Sequence, residues 1–191
     1  APTELDMVTV RAKMDAHEGF SKSCRFAVRI VPPPSMTNTT SSREMFSDLT
    51  YLCEATEFPG RGLMLMGELR HYGPSHKLPY QTVYEDCNMT FLVRSKSMER
   101  KLFDDWMEKI NPSTTYDFSY RDLYSTQIDI FQFSDVSGVQ NDASYSFTLY
   151  NAYPIMVSPQ PVTWADDNFQ RLTVTFTFSK WRRRGMDLSY T

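Results

Sequence analysis

The chain has 191 residues, 41% of them hydrophobic and 23% charged, with a formal net charge of −3. That length suits one domain with a real core, and the composition is that of a globular protein, not a disordered one. Thirteen Phe and eleven Tyr against only seven Gly favour strands over a glycine-rich nucleotide-binding fold, and the acidic balance gives no global attraction to nucleic acid.

Residues 1–22 read as an N-terminal arm. They are polar, with no apolar signal core, and Met7, Val10, Arg11 and Met14 allow a short helix. A start at Ala1 suggests loss of an initiator Met and synthesis in the cytoplasm. No apolar run is long enough to cross a bilayer, so no membrane association is expected. The first strand follows, with Cys24, Phe26, Val28 and Ile30 alternating with Arg25, Ala27 and Arg29, and it stops at Pro32-Pro33-Pro34. The Ser/Thr/Asn run from Ser35 to Ser42 reads as a polar loop. Leu49 to Thr56 alternates and reads as a second strand, ended by Phe58-Pro59-Gly60.

From Arg61 to Tyr72, Leu63, Leu65 and Leu69 alternate with Met64, Met66, Glu68 and Arg70. Both faces of this strand carry apolar side chains. It is either covered on both sides within the chain, as an ordinary buried strand pair, or it lies against another chain. Leu78 to Tyr84 reads as the return arm of its hairpin. Cys87 to Val93 is a strand with Met89, Phe91 and Val93 on one face.

The period then changes. Met98, Leu102, Phe103, Trp106, Met107 and Ile110 fall at helical spacing, while Glu99, Arg100, Lys101, Asp104, Asp105, Glu108 and Lys109 fill the opposite face. Ser97 is positioned as N-cap, and Asn111-Pro112 is a stop. Leu102, Phe103, Trp106 and Ile110 are the expected anchors of this helix on a sheet. Thr115 to Tyr124 reads as a loop or edge strand, followed by a strand carrying Ile128 and Ile130. Tyr145 to Ile155 is a strand. After the turn at Trp164 to Asn168 comes the clearest period of two in the chain. Leu172, Val174, Phe176 and Phe178 share one face, and Thr173, Thr175, Thr177 and Ser179 the other. Regular structure is expected to end before Arg182-Arg183-Arg184, which read either as a phosphate contact or as a basic C-terminal clip for an acidic surface on a neighbour. The layout is thus an arm at 1–22, a β domain at 23–181 and a tail at 182–191. The fold is mainly β with one α-helix, as a β-sandwich or partly open barrel.

The chemistry tests come out negative. Gly60, Gly62 and Gly67 are not followed by Lys-Ser or Lys-Thr, and there is no Gly-x-Ser-x-Gly elbow. Cys24, Cys53 and Cys87 read as free thiols, and His17, His71 and His76 have no ligand at metal spacing. Asp104-Asp105 and Asp166-Asp167 read as solvated pairs. No catalytic residue, metal or cofactor is expected.

Five segments in order carry a resemblance. They are Cys53-Glu54-Ala55-Thr56-Glu57-Phe58-Pro59-Gly60, Tyr84 to Val93, Arg100-Lys101-Leu102-Phe103-Asp104-Asp105-Trp106, Tyr150-Asn151-Ala152-Tyr153-Pro154-Ile155, and Trp164-Ala165-Asp166-Asp167-Asn168 with the alternating run after it. Together the chain from Cys24 to Trp181 resembles the tail tube proteins of contractile-tailed bacteriophages. The resemblance implies a subunit that closes into a six-membered ring around one larger β-barrel, with rings stacked into a tube that conducts the genome. It implies other copies of the chain, the tail sheath, the baseplate and the tail terminator as partners, transient contact with passing double-stranded DNA, and a place in the virion. Within that picture Arg61, Leu63, Met64, Leu65, Met66, Leu69 and Tyr72 are the subunit-interface candidates. A baseplate or terminator ring, a type VI secretion tube and a carbohydrate-binding β-sandwich are the alternatives.

Overall fold

A computed structural model of the chain describes residues 11, 21–37, 40–67, 73, 76–133, 143–165 and 167–183. Its strands are β1 (Phe26–Ile30), β2 (Cys53–Thr56), β3 (Arg61–Gly67), β4 (Lys77–Tyr84), β5 (Cys87–Leu92), β6 (Thr126–Phe133), β7 (Ala143–Val157), β8 (Arg171–Thr177) and β9 (Lys180–Arg183). The described α-helices are α1 (Thr40–Leu52), α2 (Met98–Ile110) and the single turn α3 (Arg121–Tyr124), and Pro34–Met36 forms a 3-10 turn. The described part of the arm read at residues 1–22 is limited to Arg11, Ser21 and Lys22.

The 15-residue strand β7 sets the topology. Asn151 sits at φ 53°, a left-handed conformation that Asn tolerates better than most residues, and the strand changes partners there. Before Asn151 it lies between β6 and β9; beyond Ala152 it pairs with β8 alone. The main sheet runs β1-β6-β7-β8-β5-β2, with β9 beside β7, and each pair in it is antiparallel. The two halves of this sheet share one core. Val28, Ile130 and Leu149 come from one half, and Met89, Phe91, Leu172, Val174 and Phe176 from the other.

Helix α2 closes that core as its periodicity predicts. Leu102, Phe103, Trp106 and Ile110 are all buried. The Trp106 ring lies 5.6 Å from Phe46 and 6.1 Å from Phe176 in centroid distance, and its Nε1 donates to the Tyr124 carbonyl at 3.0 Å. The polar face of α2 has one exception. Glu99 is 2% exposed, and its carboxylate accepts hydrogen bonds from the Arg94 backbone N–H and the Arg94 guanidinium, which also reaches Asp48 on α1. Ser97 precedes the helix but lies at φ 48°, ψ 37° and its hydroxyl caps nothing.

The expectation of a single helix is corrected by α1, which occupies Thr40–Leu52 where a polar loop and then a strand from Leu49 were read. The Ser/Thr run opens the helix instead of forming a loop. Phe46 and Leu49, three residues apart, are buried on one face, while Tyr51 is exposed. Leu49, Tyr51 and Cys53 imitate a period of two only because the helix gives way to β2 at Cys53. At the C-terminal end β9 carries Arg182 and Arg183 into register with Thr148 and Phe147, so regular structure runs past Trp181. Arg184 lies outside the described residues. Leu172, Val174 and Phe176 are fully buried, whereas Phe178 lies just beyond β8 and is half-buried against Tyr84, at 6.0 Å between centroids.

The three thiols are free and differ in access. Cys24 is exposed. Burial, reinforced by the nearby Cys87, pushes the Cys53 thiol up to about 12, and burial pushes Cys87 to about 11. The thiolate is the reacting form, so both inner cysteines are held inert at neutral pH.

Two outcomes are expected. Trp106→Ala removes a fully buried ring and a hydrogen bond and lowers unfolding free energy by about 3–5 kcal/mol, read from urea unfolding; an unchanged midpoint contradicts the docked helix. A thiol reagent at pH 8 modifies Cys24 in the native protein, and Cys53 and Cys87 only after denaturation; equal rates at all three refute the burial of the inner pair.

Candidate functional site

The feature that the core leaves unexplained is the hairpin of β3 and β4. It forms its own two-stranded sheet, in register from Arg61↔Tyr84 to Gly67↔Lys77, with an irregularity between Met64 and Leu65. Every residue of β3 is exposed. Leu63, Met64, Leu65 and Met66 each keep between 46% and 58% of their surface open, and Leu78 and Tyr80 on β4 are similarly bare. Successive side chains point to opposite faces, so both faces of the ribbon are apolar and uncovered. Within this chain, therefore, the described part of the stretch is not a buried strand pair. Leu69 and Tyr72 fall outside the described residues.

The root of the hairpin is tied to the body. Tyr84 packs against Phe178 and Trp181, with centroids 6.0 and 6.5 Å away. Further out, the ribbon's own contact is the Tyr80 hydroxyl on the Met64 sulfur at 3.5 Å. A two-stranded ribbon in water is marginal by itself. Burying six such side chains is worth on the order of 10 kcal/mol before the costs of association are subtracted.

A second surface has the opposite character. On the outward face of β5 and β8, Thr90 and Thr173 share a hydrogen bond at 3.2 Å, and Thr175 donates to Asn88 at 2.8 Å. Asn88 donates to Glu57 at 3.1 Å. Arg171 clamps Glu54 with two nitrogens, which lowers the Glu54 carboxyl through that hydrogen bond. The face is polar and its hydrogen bonds are made within the chain; Arg171 pairs with Glu54, while Glu57 is held by the Asn88 amide without a cationic partner among the described residues. The threonine alternation in the sequence pointed to it; the Glu54–Arg171 clamp, 117 residues apart in the chain, had no local signal.

The remaining expected sites separate. Leu102, Phe103, Trp106 and Ile110 meet Leu172, Val174 and Phe176 in one core, as read. Arg182 and Arg183 stand exposed on the edge strand β9, with no carboxylate partner among the described residues. No group of three metal-ligating side chains occurs among the described residues, and none of the described helices is long and apolar enough to cross a membrane.

Comparison with known proteins fits this geometry. No curated protein matches the chain in sequence. Among solved structures, it is similar to a chain of the extended sheath–tube complex of the extracellular contractile injection system PVC, at 12% identity and TM-score 0.61, covering 91% of this chain and 96% of that one. It is similar to a chain of the anti-feeding prophage baseplate, at 13% identity and TM-score 0.63, with 88% and 98% covered. It is similar too to a chain of the anti-feeding prophage tube-terminating cap, at 11% identity and TM-score 0.60, with 86% and 91% covered. These likenesses establish the fold. The model of a family of structural, non-enzymatic proteins, described as phage tail tube protein, matches residues 21–184, nearly the whole of the described body, and the chain belongs to that family.

Proposed function

We propose that this chain is the main tube subunit of a contractile phage tail, carried in the virion, with copies closing into six-membered rings that stack around a lumen for the genome. The observation that carries the reading is the β3–β4 hairpin, whose two apolar faces have no cover in the monomer. A soluble protein seldom leaves such a ribbon bare unless another chain covers it. Arg61, Leu63, Met64, Leu65 and Met66 are the contact residues assigned to a neighbouring copy, with Leu69 and Tyr72 continuing the segment in sequence.

Other features support assembly around a channel. The strands β1, β2 and β9 each pair on one side among the described residues. Open edges invite uncontrolled pairing unless neighbours close them, and a ring does so by merging sheets into one barrel. The polar, non-basic Thr/Asn face of β5 and β8 suits the wall of that channel. A basic wall would hold DNA, whereas hydroxyl and amide groups already bonded to each other let it slide. The relatives' sheath–tube, baseplate and cap settings point to the sheath, baseplate and terminator as this chain's further partners.

Negative-stain microscopy tests the assignment. The wild-type chain is expected to form long tubes; discs of a single ring would instead mark a cap or initiator, and monomers at high concentration would remove both readings. Leu65→Asp combined with Leu78→Asp places charge on the hairpin and is expected to abolish tubes while leaving the melting temperature within a few degrees, because neither side chain belongs to the core. Normal tubes from the double variant would show that the hairpin is not the interface.

A further inference from the structure

A groove of about 460 Å³ runs between β1 and helix α1. Ala27, Ile30, Phe131 and Tyr51 give it an apolar lining, and Arg29 and Arg43 stand beside them. Both arginines are exposed, and neither has an ion-pair or hydrogen-bond partner among the described residues. A groove with this lining fits a ligand that offers an aromatic side chain followed closely by carboxylates.

The chain carries such an element elsewhere. The connection between β7 and β8, residues 158–170, contains no Lys or Arg. Trp164 there is fully exposed, Val162 and Phe169 are about four-fifths exposed, and Asp166-Asp167 follows the Trp in sequence. The competing apolar elements fit less well. The β3–β4 hairpin is flanked by Arg61 and Lys77, which would meet Arg29 and Arg43 as like charges. The Tyr116–Tyr120 loop offers the single acid Asp117 and is followed by Arg121.

We infer that the β7–β8 loop of one copy seats in the β1–α1 groove of the next, with Trp164 in the groove and the adjoining carboxylates against Arg29 and Arg43. The inference rests on the ring reading above and names the surfaces that meet within it. Groove and loop are different patches, so the contact is head-to-tail, the kind that closes into a ring when the rotation allows. A buried Trp at the centre of a charged rim is the arrangement in which a few residues dominate an interface.

The test uses the full chain. Arg29→Glu with Arg43→Glu is expected to raise the protein concentration needed for ring formation roughly tenfold or more in sedimentation velocity, and adding Asp166→Arg with Asp167→Arg to the same chain is expected to restore it. In a Cys24→Ser background, mixing a Trp164→Cys variant with a Tyr51→Cys variant should give disulfide-linked dimers on oxidation that neither variant gives alone. If the wild type assembles but charge reversal has no effect and the mixture does not cross-link, the loop–groove contact is wrong and the ring reading stands; cross-linking of the loop to an added sheath protein instead has the same meaning. If the wild type never assembles, both fall together.

Discussion

Trp106 is the junction on which the body depends. Its ring lies parallel to that of Phe103 at 6.3 Å, meets Phe46 of α1 and Phe176 of β8 at tilted angles, and its Nε1–H ends on the carbonyl of Tyr124 in α3. One side chain of α2 therefore touches α1, α3 and β8 at once. Without it α1 would have little reason to be helical, since its Ser/Thr-rich sequence has weak helix propensity and helices of this length hold through packing. The Asp48–Arg94–Glu99 chain runs alongside, joining α1 to α2 through a buried carboxylate that is safe only because the Arg94 backbone and guanidinium both reach it.

That closed core explains how the periphery can be so apolar. A ribbon such as β3–β4 supplies no side chain to the buried core and is anchored to the body through Tyr84, so the core is built without it. Rings packed from both halves of the sheet fill that core. If the hairpin is the interface, as proposed, stability and association fall to different residues, Trp106 and Phe176 for one and Leu63 to Met66 for the other, and substitution in either group should leave the other's task intact.

Where the sequence pattern is long, it reads correctly. Leu172 to Phe176 and Met98 to Ile110 each repeat one period over several residues with a uniform opposite face, and both elements stand where the pattern puts them. Helix α1 was hidden because Leu49, Tyr51 and Cys53 alternate across a helix–strand junction, and two buried positions are too few to show a period of 3.6. Glu99 looked solvated because charge by itself says nothing of a partner five residues back. The hairpin showed its two apolar faces in the sequence, but not their exposure: alternation gives the direction of a side chain, never what covers it. Contacts such as Glu54 with Arg171 depend on β2, β5 and β8 lying side by side, which no local window contains.

The distribution of charge bears on how such a chain associates without aggregating. In the proposed ring each added copy brings a net −3, so repulsion grows with assembly and must be outweighed by apolar burial at defined places. The polar face of β5 and β8 adds little to either side of that balance, because its Arg171 and Glu54 neutralise each other and its hydroxyls and amides are bonded among themselves. The apolar ribbon has basic residues at its ends, Arg61 and Lys77, and the Trp164 loop has only acids. On the proposed loop–groove contact, a copy that arrives in the wrong register sets like charges together and leaves Trp164 in water. In the proposed ring, specificity of assembly would then come from pairing each exposed apolar element with a sign of charge.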